Sequence, residues 1–166
     1  AWLRDEGITP IAIEIPVFNY PLCDDDPLGS DAKRLHQSIA YAGTVDGVGL
    51  DSKGNLVIWD WKTGGLYAEG RMQLAAYAGA LHSLAQTQPD LFRAIADTAG
   101  VPRTGYLVQI PREYSEGMDP WKVETVEEWE LDYLSGVFNS LLPVYQWQHE
   151  VREAEKAERE KARSNG

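Results

Sequence analysis

The chain has 166 residues and a formal net charge of -11; this length suffices for one domain with a hydrophobic core, and this charge argues against a surface broadly designed to bind polyanions. Hydrophobic residues make up 43% of the chain and charged residues 25%, which places it among globular proteins. Cys23 is the only cysteine, which excludes an internal disulfide and a cysteine-ligated zinc or iron–sulfur site.

The sequence contains no secretory signal and no apolar run of membrane-spanning length. We therefore expect a cytoplasmic protein with no membrane partner. The chain begins at Ala1 without an initiator methionine, and we expect it to be a piece of a longer protein. Residues 1–10 are expected to form an irregular lead-in.

The first predicted strand is Ile11–Phe18. Its isoleucines at 11, 13 and 15, together with Val17, are predicted to share one face, and Glu14 the other, because side chains alternate along a strand. A lone glutamate in such a strand either faces solvent or is held inward by a cation. Both alternatives stay open for Glu14.

A hairpin is predicted next. Gly43–Leu50 and Leu56–Lys62 have strand patterns, and Asp51–Asn55 between them has the composition of a turn. Asp46 and Asp60 lie at nearly equal distances from this turn, so they should lie opposite each other. Two facing carboxylates repel unless a proton or a metal ion lies between them.

The second hairpin strand ends in an acid and a lysine on the same face. Asp60 and Lys62 should point one way, and Trp59 and Trp61 the other. One interpretation is a structural ion pair at a strand end, since burial usually requires such pairing. The alternative is a chemical site shared with Asp46.

The rest of the chain is predicted to be helical with two further strands. Glu69–Gln86 has amphipathic helical spacing, and its Gln73 and Tyr77 lie four residues apart on one face. Tyr77 belongs either to the core or, with Gln73, to the strand end that carries Asp60. The further elements predicted are a helix at Pro89–Ala99 and strands at Gly105–Ile110 and Trp121–Thr125.

A final helix is predicted to start near Val126, because Thr125 and Glu128 have the spacing of a capping box, and Pro143 should kink or restart it. After residue 147 the sequence is almost wholly charged. We therefore divide the chain into a domain at 1–147 and a charged helical extension at 148–166, which could face solvent or a protein partner.

Three stretches together resemble the PD-(D/E)xK nuclease superfamily, in particular its RecB-like and phage exonuclease branch. They are Gly43-Thr44-Val45-Asp46, Ile58-Trp59-Asp60-Trp61-Lys62-Thr63 and Gln73-Leu74-Ala75-Ala76-Tyr77. The Asp-x-Lys triplet alone is weak evidence. The ordered set of three is more specific and extends over about half the chain.

The resemblance implies an α/β (α+β) fold with a restriction-endonuclease-like core, in which helices flank a central mixed sheet. It implies a Mg²⁺-dependent or Mn²⁺-dependent deoxyribonuclease, most simply an exonuclease of recombination, repair or phage type, located in the host cytoplasm if phage-encoded. Asp46, Asp60 and the Trp61 carbonyl would bind the metal. Lys62 would act on the attacking water, and Glu14 would complete the acidic cluster.

By the same resemblance, Gln73, Tyr77 and Arg71 would contact DNA or support the site. Arg71, Arg103, Arg112 and Lys122 are candidates for a local basic groove, or for ordinary surface roles. The metal-binding histidine that RecB-like enzymes usually carry before the first strand is missing, and no iron–sulfur cluster is expected.

Three alternatives stay open beside the exonuclease. The same core could serve as an endonuclease or nicking domain of a larger complex. It could be a catalytically silent module that binds a protein through its acidic surface or charged C-terminal helix. The chain could also be an α/β domain with a structural ion pair and no nuclease activity.

Overall fold

The computed structural model of the protein, which describes residues 2–19, 41–90, 92–98, 101–113 and 119–164, contains a five-stranded mixed sheet flanked by helices. In chain order the described elements are α1 (Trp2–Asp5), β1 (Thr9–Asn19), β2 (Tyr41–Leu50), β3 (Leu56–Lys62), α2 (Ala68–Thr87), α3 (Arg93–Ala96), β4 (Thr104–Gln109), β5 (Lys122–Glu127) and α4 (Glu128–Ser164). This confirms the coarse α+β class expected from the sequence.

The sheet has the strand order β1-β2-β3-β4-β5. All neighbouring strands are antiparallel except β3 and β4, which are parallel, with α2 in the connection between them. The parallel pair matters for the site, because it brings the carboxyl ends of β3 and β4 to the same edge of the sheet. Lys62 and Gln109 are register partners at that edge.

The predicted hairpin is confirmed. The side chain of Asp51 accepts hydrogen bonds from the backbone N–H groups of Lys53 and Asn55, both at 2.8 Å, and from the Asn55 side chain at 2.9 Å. Gly54 has φ +82°, a left-handed backbone that glycine adopts without steric cost. The turn chemistry therefore fixes the register in which β3 returns along β2.

Each face of the sheet has its own core. On one face α2 lies across the strands, and Leu74, Leu81 and Leu84 are fully buried there together with Ile58 and Leu107. On the other face a smaller cluster forms around Trp2, Trp59 and Val57. The side chains of β3 alternate between the two faces as predicted, and its tryptophans lie on the face away from α2.

The aromatic rings behind β3 pack edge to face. The Trp2 ring lies 6.2 Å from that of Trp59, 5.5 Å from that of Trp61 and 5.4 Å from that of Tyr106, measured between centroids. Such contacts are favoured by the quadrupoles of the rings. Trp2 therefore belongs to the core, and the predicted irregular lead-in is wrong, because Trp2–Asp5 form α1 and β1 already begins at Thr9.

Gly47 is required by this packing. A Cβ atom at Gly47 would lie 2.0 Å from the ring of Trp59, its register partner on β3. Since Trp59 is fully buried, its ring has no room to move aside. The absence of a side chain at Gly47 thus leaves the space beside β2 that the Trp59 ring fills.

The predicted alternation of β1 is wrong before Ile15, since Ala12, predicted on the other face, packs against the same core as Ile15 and Val17. Ile15 and Val17 are buried, but Ile13 is 67% exposed. Glu14, between Ile13 and Ile15, has φ +52°, in the left-handed region. This backbone conformation reverses the alternation of side chains along the strand. β2 shows a matching irregularity, since Val45 and Val48 are buried in the same core although they lie three residues apart.

The predicted start of the last helix is also wrong. Strand pairing continues through Glu127, which pairs with Thr104, and Thr125 lies inside β5 opposite Tyr106. The helix begins at Glu128, whose carboxylate forms an ion pair with Arg103. The capping-box spacing is therefore overridden by the ladder between β4 and β5.

Two further helix predictions need correction. Among the described residues, the helix predicted at Pro89–Ala99 is limited to Arg93–Ala96, and Ala99 lies outside them. The last helix is not restarted at Pro143, which lies inside a continuous α4.

The second half of α4 projects away from the packed part of the protein. From Pro143 to Arg163 every side chain is exposed, whereas the first turns pack against α2. The burial therefore changes at Pro143, close to the predicted boundary after residue 147; the boundary itself stays a prediction. No helix in the described ranges is both long enough and apolar enough to cross a membrane. Cys23 lies outside the described residues.

Candidate functional site

The predicted carboxylate pair lies where β2 and β3 separate. The β2–β3 ladder ends with Gly47 opposite Trp59, so Asp46 and Asp60 are the next two residues beyond its last pair. The carboxylate Oδ2 of Asp46 accepts a hydrogen bond from the N–H of Trp61 at 2.7 Å. The Asp46 side chain thus accepts the hydrogen bond that a backbone carbonyl of β2 would accept if the ladder continued.

Asp60 is a buried carboxylate. The residue is 6% exposed, and its Oδ2 is closed off from solvent. This oxygen forms an ion pair with the ammonium of Lys62. Burial raises the pKa of Asp60 above its ordinary value; Lys62 opposes the rise, and the nearby Asp46 carboxylate adds to it.

The N-terminal half of α2 positions Lys62. The ammonium Nζ of Lys62 donates to Oε1 of Gln73 at 2.8 Å, and the Gln73 amide donates in turn to the hydroxyl of Tyr77 at 2.9 Å. The two bonds fix which end of the amide faces which partner. The prediction that α2 aims Gln73 at the end of β3 is confirmed.

Tyr77 belongs both to the core and to this chain of hydrogen bonds. It is 9% exposed, and its ring lies so close to Gly43 that a Cβ there would be 2.5 Å from the ring. Burial raises the pKa of Tyr77, the charge of Asp60 raises it further, the Gln73 hydrogen bond lowers it and Asp46 raises it. The charges of both carboxylates therefore act on this hydroxyl.

The Trp61 carbonyl lies on the side predicted for a metal ligand. The N–H of Ile110 donates to the Lys62 carbonyl at 2.8 Å, so the Lys62 carbonyl points toward β4. Carbonyls alternate in direction along a strand, so that of Trp61 points toward β2. Its N–H also points that way, toward Asp46.

Glu14 occupies the position opposite Asp46. Its neighbours Ile13 and Ile15 pair with Gly47 and Val45, which leaves Glu14 facing Asp46 across the β1–β2 ladder. Its side chain is exposed, as in the first of the two alternatives that the sequence left open. A left-handed glutamate is strained, and such strain occurs often at functional sites. Its role in the acidic cluster stays a prediction.

The strain at Glu14 can be separated from its charge. We expect Glu14→Gly to raise the free energy of unfolding by roughly 1 kcal/mol, because glycine adopts positive φ freely; the resemblance to metal-dependent nucleases predicts that it also slows cleavage. The matched Glu14→Gln variant keeps the strained backbone and should slow cleavage without a gain in stability. Urea unfolding and a cleavage assay check both; unchanged cleavage in both variants would remove Glu14 from the cluster.

The predicted basic residues are mostly engaged within the chain. Arg71 pairs with Glu124 and, at 2.7 Å, with Glu130, so it links α2 to β5 and α4. Arg103 is paired with Glu128, and Arg112 donates to the Thr63 carbonyl at 3.2 Å. Contacts within the protein therefore explain the positions of all three arginine side chains. DNA contact by Arg71 stays a prediction.

A cleft of about 570 Å³ opens beside Lys62 and Gln73. Its lining residues are Lys62, Gly65, Leu66, Tyr67, Glu69, Gly70, Gln73 and Leu107. Most of these residues were not predicted as part of a site, because Gly65, Leu66 and Tyr67 lie in the loop after β3, Leu107 lies on β4, and Glu69 and Gly70 lie in the first turn of α2. Only recognition of the parallel β3–β4 pair, which places Leu107 beside Asp60, could have indicated them.

The chain matches no protein-family model and no curated protein. Within the described part of the chain, no three histidine, cysteine, aspartate or glutamate side chains form a group that could hold a metal ion. The acidic centre there is the pair formed by Asp46 and Asp60. The site is thus defined by its geometry alone: two carboxylates, a lysine and a cleft.

Proposed function

We propose that the protein is a metal-dependent DNA nuclease with a restriction-endonuclease-like core, and in particular an exonuclease. The observation that carries the proposal is the meeting of Asp46, Asp60 and Lys62 at the separated ends of β2 and β3, beside an open cleft. The mixed sheet, with its antiparallel hairpin followed by a parallel strand, supports it.

The donor set fits a hard divalent cation. Asp60 presents a buried carboxylate whose Oδ2 pairs with the Lys62 ammonium, Asp46 brings a second carboxylate next to it, and the Trp61 carbonyl points toward β2. Oxygen ligands of this kind suit Mg²⁺ or Mn²⁺. When bound, such an ion would lower the pKa of a water and neutralise charge on a phosphate.

The protein's own contribution lies in Lys62. Its ammonium is fixed between the Asp60 carboxylate and the Gln73 carbonyl oxygen, with its third hydrogen free to reach a water or a phosphate oxygen. Hydrolysis would join the water oxygen to phosphorus and break one ester P–O bond. The leaving oxygen takes a proton, and the products are a hydroxyl and a phosphate monoester.

The interpretation as a purely structural ion pair explains less. A structural pair accounts for the contact between Asp60 and Lys62, and the Trp61 N–H bond gives Asp46 a structural role, but neither removes the repulsion between the two carboxylates, which raises the pKa of Asp60. The net charge of -11 opposes DNA binding in general. A cation between the carboxylates removes part of that opposition where the phosphate would bind.

The cleavage test uses linear and circular DNA, single- and double-stranded, with Mg²⁺, Mn²⁺ or a chelator. We expect linear DNA to be degraded only with metal, and circles to stay intact, because an exonuclease requires an end. Nicked circles would instead identify an endonuclease. No metal-dependent cleavage of any substrate would contradict both.

A protein-binding role is the second candidate. The exposed half of α4 carries large apolar side chains, among them Val144, Tyr145 and Trp147, which are 50%, 66% and 62% exposed. Exposed apolar groups of this size commonly mark a contact with another protein. This role could accompany a nuclease or replace it, and absence of cleavage would favour the latter. The cytoplasmic location stays a prediction.

A further inference from the structure

An exposed tyrosine lies at the rim of the cleft. Tyr67 immediately precedes α2, its side chain is 69% exposed, and it lines the same cleft as Lys62 and Gln73. An aromatic ring of this exposure has no role in the core. Because the ring lies beside the proposed phosphate site, it is placed to bind a ligand that has a flat, apolar face.

The loop that presents Tyr67 is held in place. The Gln109 side chain donates to the Gly64 carbonyl at 2.6 Å, and Arg112 donates to that of Thr63 at 3.2 Å. The ring of Tyr67 lies against the backbone of Gly65, where a Cβ atom would come within 2.6 Å of it. The ring is therefore supported from within the protein and open to solvent elsewhere.

We propose that Tyr67 is the stacking platform for an unpaired nucleobase of a single-stranded DNA end. The proposal rests on the proposed nuclease function and adds the kind of strand that the site binds. Base–aromatic stacking requires a free base face, which an unpaired strand offers and an intact duplex does not. A strand with a phosphate at Lys62 places a neighbouring base on the cleft side, where Tyr67 lies.

The lining of the cleft favours this occupant over an apolar peptide. Lys62, Glu69 and Gln73 bring an ammonium, a carboxylate and an amide into the same cleft, while Leu66 and Leu107 are apolar. A nucleotide has the same mixture, with a flat base and polar edges next to a charged phosphate. Purely apolar side chains would cover these polar groups without offering them a hydrogen bond.

The test measures binding without cleavage. A fluorescein-labelled oligothymidylate and a blunt duplex of equal length are titrated with the full chain in calcium, with anisotropy as the readout. We expect Tyr67→Ala to weaken single-strand binding about tenfold, as the loss of one stacked base does. Tyr67→Phe, which keeps the ring, should bind within about twofold of the unchanged protein.

Two controls make the result specific. Tyr133→Ala removes a tyrosine of similar exposure, 66%, on α4, and should leave binding unchanged. Tyr67→Leu keeps apolar bulk without a ring and should lose binding as Tyr67→Ala does. A single-stranded probe with terminal 2-aminopurine should be quenched by the protein, and this quenching should disappear in Tyr67→Ala.

Each outcome decides the proposal. If Tyr67→Ala binds the single strand as tightly as the unchanged protein, stacking on Tyr67 is refuted, while cleavage of DNA with metal would leave the nuclease proposal standing. If Tyr67→Ala loses equal affinity for the single strand and for the duplex, the preference for unpaired bases is refuted. If the unchanged protein neither binds nor cleaves DNA, the nuclease proposal fails and this one with it.

Discussion

Asp60→Asn should abolish metal-dependent cleavage and, in the metal-free protein, raise stability. Cleavage should fall on the order of a thousandfold, the usual cost of removing a group that stabilises the transition state. The free energy of unfolding should rise by roughly 1 kcal/mol, a typical gain when a strained functional group is neutralised, because asparagine has the shape of aspartate without its buried charge. Urea unfolding in chelator and a cleavage assay check the two halves.

Asp51→Asn is the matched control in the same hairpin. Burial raises the pKa of Asp51, but the hydrogen bonds from Asn55 and from the backbone of Lys53 outweigh it and hold the pKa below its ordinary value. The charge of Asp51 therefore stabilises the fold, and its removal should lower stability without affecting cleavage. If both variants change stability in the same direction, the buried charge of Asp60 is not the cause.

The stability difference at Asp60 should depend on pH. Because the pKa of Asp60 is raised in the folded protein, its ionised form destabilises the fold above that pKa, and the protonated form below it resembles asparagine. The advantage of Asp60→Asn should thus be largest at neutral pH and shrink as the pH falls through the raised pKa. The stabilising effect of Asp51 is instead lost only below the ordinary pKa of a carboxyl group.

Lys62→Met should slow cleavage while strengthening metal binding. Methionine keeps an unbranched chain but removes the ammonium, and loss of such a group costs about 10²- to 10⁴-fold in rate. The same ammonium occupies the Asp60 oxygen in the ion pair, so its removal frees a ligand for the cation. Titration with Mn²⁺, followed by tryptophan fluorescence, should therefore show a lower Kd at a pH where Asp60 is ionised.

Lys53→Met provides the control for Lys62→Met. Lys53 is an exposed lysine of the turn, and its replacement should change neither the rate nor the affinity for Mn²⁺. If Lys62→Met cleaves DNA normally, Lys62 serves only as a structural partner of Asp60. If it loses rate and metal affinity together, Lys62 organises the ligands and does not act on the reacting groups.

The site was predictable from sequence where local rules and topology agree. The turn at Asp51–Asn55 contains the residues that its hydrogen bonds require, so the register of Asp46 and Asp60 followed from counting. The spacing of Gln73 and Tyr77 on one helix face is likewise retained in the structure, because α2 is long and most of its residues from Leu74 to Ala85 are buried.

Other features depend on contacts that a sequence pattern does not contain. The reversal at Glu14 arises from one left-handed residue, and nothing in Ile-Glu-Ile distinguishes it from a regular strand. The capping box at Thr125 was a valid local signal, but pairing of β5 with β4 extends the strand through it. The cleft around Tyr67 forms only once β3 and β4 lie parallel.

The bond from the Trp61 N–H to Asp46 has a consequence for how a ligand would bind. Without any cation, this bond already fixes one carboxylate at the strand end, and the Trp2 ring behind β3 fixes the backbone from the other side. Binding a cation would then require little reorganisation beyond moving Lys62 from the Asp60 oxygen. The protein would hold its site ordered in the resting state, with the Lys62 ammonium on the Asp60 oxygen, so affinity would depend on displacing that ammonium and not on ordering a loop.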